Sequence, residues 1–238
     1  MNRVEILTLK YDHNGEFIIH PVVIADEKEM VLVDCGLPNS YDMLKEEMAK
    51  KDLDIQKLTK IIITHQDFDH MGSLAELKRN IKGVQVLASK EEAKHISGKE
   101  EFIRVKNVDN IIDSVDEAKK KELEAYKAGL KAVETVDVDV FVKTGDTFPI
   151  AGGIEIIETP GHLPGHISVL IKERKALVTG DAFVIMDDKL LPSNPQYTLD
   201  MQMAKESIKG LLKYEIDELI CYHGGIYNKD VKGAIESF

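Results

Sequence analysis

The chain has 238 residues and a net charge of −11, a balance that repels phosphate backbones and anionic lipid and argues against nucleic acids and membranes as partners. No apolar run approaches the roughly 20 residues that span a bilayer, and no charged-then-apolar leader opens the chain, so a cytoplasmic protein is expected. Two cysteines, Cys35 and Cys221, are too few for a disulfide framework. No linker, low-complexity tract or repeat divides the sequence, and a single domain over 1–238 is expected.

The first elements are short β-prone runs at 4–9, 17–24 and 30–33, separated by turn residues around Asn14-Gly15 and Asp26-Glu27. Tyr41, Leu44 and Met48 share one face of a helix over 41–51, with Asn39 or Ser40 as its N-cap. An apolar strand at 61–64 follows, then a helix at 73–79, a strand at 84–88 and a helix at 90–96. The region from 97 to about 136 differs. Its charged stretch 115–133 repeats Leu123, Tyr126, Leu130 and Val133 at helical spacing, which predicts a helical insertion. That stripe reads first as core packing, with an apolar lid or a homodimer contact as the other readings. Strands at 138–142, 154–158, 167–171 and 176–179 come next, then a loop through Pro192 and Pro195, a helix at 201–212 and a last strand at 218–221. The alternation is that of an α/β protein.

Chemistry concentrates where these strands end. His65-Gln66-Asp67-Phe68-Asp69-His70 offers four potential metal ligands in six residues. Such a cluster is expensive to desolvate unless a cation sits in it. A helix cap would account for Asp69 and His70 but leaves His65 and Asp67 unexplained. Three further motifs follow apolar runs: Thr159-Pro160-Gly161-His162-Leu163-Pro164-Gly165-His166, Thr179-Gly180-Asp181 and Tyr222-His223-Gly224-Gly225. Five of the eight histidines fall in these segments, so His13, His20 and His95 are read as surface or packed residues. Cys221 sits two residues before His223 on a strand, a spacing that favours burial over ligation.

Together with Val31-Leu32-Val33-Asp34-Cys35-Gly36, these motifs, in this order, resemble the metallo-β-lactamase-fold hydrolase superfamily over nearly the whole chain. The resemblance implies an αββα sandwich with a binuclear metal site at the sheet edges. Carried over by position, His65, Asp67 and His162 would hold a first metal, and Asp69, His70 and His223 a second, with Asp181 bridging. Asp34 would orient the ligand loop, and His166 would support its own loop rather than bind metal. One position departs from the pattern: Asp67 stands where the family's His-x-His-x-Asp-His cluster has its second histidine. The family implies two divalent ions, with zinc the usual metal, while the carboxylate at Asp67 leans toward iron or manganese.

The implied chemistry is hydrolysis by a metal-bridging hydroxide, with Asp69 receiving the proton. Val184 stands where the family's quorum-signal lactonases carry a tyrosine, the chain stops soon after His223, where a glutathione-gripping extension would begin, and no basic footprint suits a nuclease. A small ester, lactone, thioester or phosphoester remains as the substrate, enclosed by the insertion and the loop 183–198, where Tyr197 is the only aromatic hydroxyl. Two other classes stay open: a non-heme iron redox or oxygenase enzyme on the same fold, and a metal-binding protein without catalysis.

Overall fold

The computed structural model describes residues 2–12 and 16–238, with Glu16 described by its backbone alone. The turn expected at Asn14-Gly15, and His13, lie outside the described residues. In chain order the elements are β1 (Arg3–Ile6), β2 (Leu9–Asp12), β3 (Glu16–Ile19), β4 (Val22–Ala25), β5 (Met30–Val33), α1 (Tyr41–Ala49), β6 (Lys60–Ile62), α2 (Phe68–Met71), α3 (Leu74–Asn80), β7 (Gln85–Ser89) and α4 (Lys90–Ile96). The helices α5 (Ile103–Ile111) and α6 (Glu117–Lys131) lead to β8 (Val140–Val142), β9 (Thr147–Phe148), β10 (Ile154–Glu158), β11 (Ile167–Ile171) and β12 (Ala176–Val178). The chain continues through β13 (Phe183–Met186), β14 (Lys189–Pro192), α7 (Met201–Lys209), β15 (Glu218–Cys221), β16 (Gly225–Tyr227) and α8 (Val231–Glu236).

Two six-stranded sheets form, in the orders β1-β4-β5-β6-β7-β8 and β16-β15-β12-β11-β10-β9. Strand alternation decides what each face meets. Val22, Ile24, Val31, Val33 and Ile62 turn inward against Ile154, Ile156, Ile167, Val169 and Ile220 of the second sheet. The intervening residues Val23, Leu32 and Ile61 turn outward onto Leu44, Met48, Leu74 and Leu77 of α1 and α3. Leu170, Leu177 and Leu219 do the same on the other side, against Ile208, Val231 and Ile235 of α7 and α8. The result is helix, sheet, sheet, helix, as the family resemblance implied. Each fully buried aliphatic side chain contributes roughly 1.5–3 kcal/mol.

Several boundaries differ from the sequence expectation, and each has a local cause. The runs 4–9 and 17–24 each break in two, because Leu7 N–H donates to the Pro21 carbonyl at 2.9 Å and Pro21 itself has no N–H to carry a ladder onward. Their outer halves pair as the β2–β3 hairpin. The segment expected as a loop through Pro192 is instead the hairpin β13–β14, with Phe183 opposite Pro192. Its turn residues Asp187 and Asp188 have φ of +49° and +59°; hairpin turns of this left-handed kind are usually signalled by Asn or Gly. Beyond the strand expected to be the last lie β16 and α8. The insertion contains α5 besides the expected α6, whose N-terminus Asp116 caps by accepting from Lys119 N–H. Among the described residues no helix is long and apolar enough to cross a membrane.

Candidate metal centre

β5 and β6 run parallel, as do β12 and β15, so the loops that leave them emerge on one edge of the sandwich. Asp34 follows β5, His65 follows β6, Asp181 follows β12 and His223 follows β15. Asp69 and His70 lie in the short helix α2 directly after His65 and Asp67, and His162 comes from the β10–β11 connection. All seven expected ligands therefore meet. His223 Nε2 is 3.3 Å from Asp69 Oδ2 and 3.4 Å from Asp181 Oδ1, and His70 Nε2 is 3.3 Å from that same Asp181 oxygen. On the other side, Asp67 Oδ2 is 3.1 Å from His162 Nε2 and 3.5 Å from His65 Nε2. Asp181 Oδ2 is 3.5 Å from His162 Nε2, so this carboxylate reaches both halves.

The hydrogen bonds behind the ligands fix which nitrogen of each ring faces the centre. Asp34, at φ +58°, accepts from Thr64 N–H and from the Thr64 hydroxyl, each at 2.8 Å, and from His70 Nδ1 at 2.9 Å. Having donated its proton to Asp34, the Thr64 hydroxyl can only accept from His65 Nδ1 at 2.9 Å. The Nε2 atoms of His65 and His70 are thus turned inward, the arrangement that metal-binding imidazoles share. His166 is different. Its Nδ1 meets Thr159 Oγ1 and its Nε2 accepts Asp181 N–H at 3.0 Å, so both nitrogens are used in positioning Asp181. A side chain at Gly180 would stand 2.7 Å from that Nε2, and its φ of +51° excludes most residues in any case.

Three buried atoms here find no hydrogen-bond partner: His65 Nε2, His70 Nε2 and Asp181 Oδ1. They belong to one group whose ligand atoms lie within 4.8 Å of one another. Leaving buried polar atoms unmet costs about 1–3 kcal/mol each, and one cation among them removes that cost, so the donor set fits a divalent ion. The electrostatics agree. Burial alone would push His70 down, yet Asp181, Asp69 and Asp34 outweigh it and lift the imidazole well above its usual range. Burial would raise Asp69, but the charges of His70 and His223 hold its carboxyl below the ordinary value. Burial, with His70 beside it, pushes His65 down to about 4.

Asp67 carries a partner that sequence reasoning missed. Arg104, in the first turn of α5, donates from Nε to Asp67 Oδ1 at 2.8 Å and from Nη2 to Asp67 Oδ2 at 2.6 Å. The same Nη2 lies 3.1 Å from His162 Nε2. Two more residues staple this helix to the ligand loop. Gln66 Oε1 accepts Ile103 N–H, while Gln66 N–H and Nε2 both donate to buried Glu92, which also takes Gly165 N–H. Glu92 thereby joins the His65–His70 loop to the His162–His166 loop. The sequence signal for Arg104 was Asp67 itself, a carboxylate in a ligand cluster that needs a cation from somewhere.

Asp67, Asp69, His162, Asp181 and His223, beside Arg104, line the polar wall of a cavity of about 880 Å³; Phe17, Phe68, Val184 and Ile185 give it an apolar side. Of the insertion's stripe, Leu123, Leu130 and Val133 are buried, whereas Tyr126 is exposed at the cavity and meets Phe68 edge to face. Tyr197 also lines the cavity. His95 is packed, its Nδ1 2.8 Å from Glu101 O, and His20 is half-buried at the cavity wall. Cys35 and Cys221 are buried free thiols, and burial pushes Cys221 up to about 12.

Residues 14–230 match the Metallo-beta-lactamase superfamily. The probable metallo-hydrolase YflN of Bacillus subtilis (strain 168) is 28% identical over 217 residues, covering 84% of this chain and 77% of that protein. Hydroxyacylglutathione hydrolase GloC of Haemophilus influenzae is 28% identical over 158 residues, 66% of this chain and 62% of that protein. The crystal structure of the metallo-beta-lactamase family protein TTHA1429 from Thermus thermophilus superposes with a TM-score of 0.76 at 20% identity, over 98% of this chain and 77% of that one.

Proposed function

The chain belongs to the metallo-beta-lactamase superfamily, and from that premise we propose that it hydrolyses a small ester, lactone, thioester or phosphoester, with a divalent ion held among His65, Asp69, His70, Asp181 and His223. The observation that carries this reading is the trio of orphaned buried atoms on His65, His70 and Asp181, the last of which lines the cavity. A divalent ion bound there would polarise an acyl or phosphoryl oxygen and lower the pKa of water.

The chain's own residues do the rest. Asp69, ionised and on the cavity wall, accepts the proton of the attacking water. Asp34 and Thr64 hold His70 and His65 in the tautomers that present Nε2, and His166 fixes the backbone of Asp181. Phe17, Phe68, Val184 and Ile185 receive the apolar part of the substrate, and Tyr197 stands where its hydroxyl can donate to a leaving group. A cavity of this size is in the range of small-molecule sites, and the name of the GloC relative puts thioesters among the substrates to test first.

The test is a hydrolase screen on protein stripped of metal and reloaded with manganese, iron, cobalt or zinc, against all four substrate classes. Turnover in at least one metal form is expected, and Asp69→Ala should lower it about 10²–10⁴-fold while leaving the fold intact. A metal-filled protein inert to every class would sink the catalytic reading, and a fully active Asp69→Ala would remove the proton acceptor from it.

A further inference from the structure

We propose that the guanidinium of Arg104, and not a metal ion, is the resident cation of the pocket formed by His65, Asp67 and His162, so that this chain holds one ion where the family resemblance implies two. The inference rests on the metal-dependent reading above and specifies its stoichiometry.

Both oxygens of Asp67 are taken by Arg104 in the paired geometry that guanidinium and carboxylate favour. His162 completes the pocket, and its tautomer can be followed outward. The Thr198 hydroxyl donates to Asn194 O at 2.6 Å, so in its 2.6 Å bond with Ser193 it accepts. The Ser193 hydroxyl, having donated to Thr198, can only accept from His162 Nδ1, 3.3 Å away. In the neutral ring His162 Nε2 is then the acceptor that Arg104 Nη2 meets at 3.1 Å, and the same Nη2 donates to Asp67 Oδ2, so the guanidinium joins two atoms that lie 3.1 Å apart.

The arginine is built in rather than draped over the site. It is buried, and so are Val105 and Val108 of the same helix. The backbone N–H just before it is held by Gln66, which Glu92 holds in turn. Within the centre the orphaned atoms fall on Asp181, His70 and His65, the last shared by both groups of ligands, while Asp67 and His162, which Arg104 meets, have none. A second dication at Asp67 would sit against the Arg104 guanidinium, which already occupies both oxygens of that carboxylate.

The experiment counts metal. Wild-type protein is loaded with excess Zn²⁺ or, separately, Mn²⁺, passed through a desalting column, and its metal measured by mass spectrometry beside an Arg104→Ala/Asp67→His variant whose folding is checked by circular dichroism. The expectation is about one ion per wild-type chain and about two in the variant, which trades the guanidinium for an imidazole. Two ions in the wild type would overturn the inference while leaving the metal-dependent hydrolase intact. No bound metal in either protein would overturn both readings. A folded variant that stays at one ion would show that Arg104 does not keep the second ion out. Where the variant fails to fold, the wild-type count still tests the stoichiometry, since two ions there would overturn the inference.

Discussion

Replacing Glu92 by glutamine should flatten the pH dependence of stability, because this acid is completely buried and sits between the two ligand loops. It accepts Gln66 N–H, Gln66 Nε2 and Gly165 N–H, each at 2.9 Å. Burial is the larger influence and pushes its carboxyl from 4.5 up to about 7 despite those bonds. A carboxyl whose folded value lies above its unfolded one binds the proton more tightly when folded. The stabilisation it lends is complete below pH 4.5 and is lost as the pH rises through about 7. At 1.36 kcal/mol per pH unit, the window from 4.5 to about 7 is worth about 3 kcal/mol. Urea unfolding of wild type and Glu92→Gln at intervals from about pH 4.5 to about 8.5, in chelator so that metal affinity does not enter, measures it directly. The wild type should lose about 3 kcal/mol relative to the variant across that window and then run parallel to it. Curves that stay parallel over the whole range would refute the reasoning, since the offset between Glu and Gln alone has no pH dependence.

Asp34→Asn should weaken metal binding about 10–100-fold, because the new amide can present N–H to His70 Nδ1 in place of the oxygen now 2.9 Å away; a zinc titration by calorimetry that returns the wild-type affinity would dismiss the role given to Asp34. Gly180→Ala places a methyl 2.7 Å from His166 Nε2 at a φ of +51°, and should cost about 1–3 kcal/mol. An unchanged thermal midpoint would mean that this turn tolerates a side chain after all.

Much of this architecture is legible in the sequence wherever one local pattern fixes one outcome. The helix at 90–96 and the strands at 154–158, 167–171 and 218–221 have the expected bounds to the residue, since each pairs an unbroken pattern with a clear stop. The convergence of the candidate ligands is legible for a related reason: four ionisable side chains within His65–His70, directly after an apolar strand, have few ways to coexist. The β13–β14 hairpin escaped because its left-handed turn is made by Asp187-Asp188 and not by the residues that advertise such turns. Glu92 lies in the first turn of a helix, where nothing in the sequence sets it apart, and only the packing of two loops over it shows that it is buried.

Arg104 is the instructive omission. It stands 37 residues from Asp67, within a charged insertion where any arginine reads as solvated, and no periodicity marks it out. Asp67, by contrast, was conspicuous, because a carboxylate in that cluster must be neutralised. The sequence exposes the demand for positive charge but not its source, which can be an ion or a guanidinium. What separates them is geometry: a guanidinium satisfies Asp67 only if α5 is held at the right height, which Gln66 and Glu92 accomplish through Ile103 N–H. It follows that Gln66 and Glu92 belong to the same device as Arg104. Relatives that carry a carboxylate at the position of Asp67 but lack a basic side chain at the position of Arg104 should have to meet the demand with a second ion.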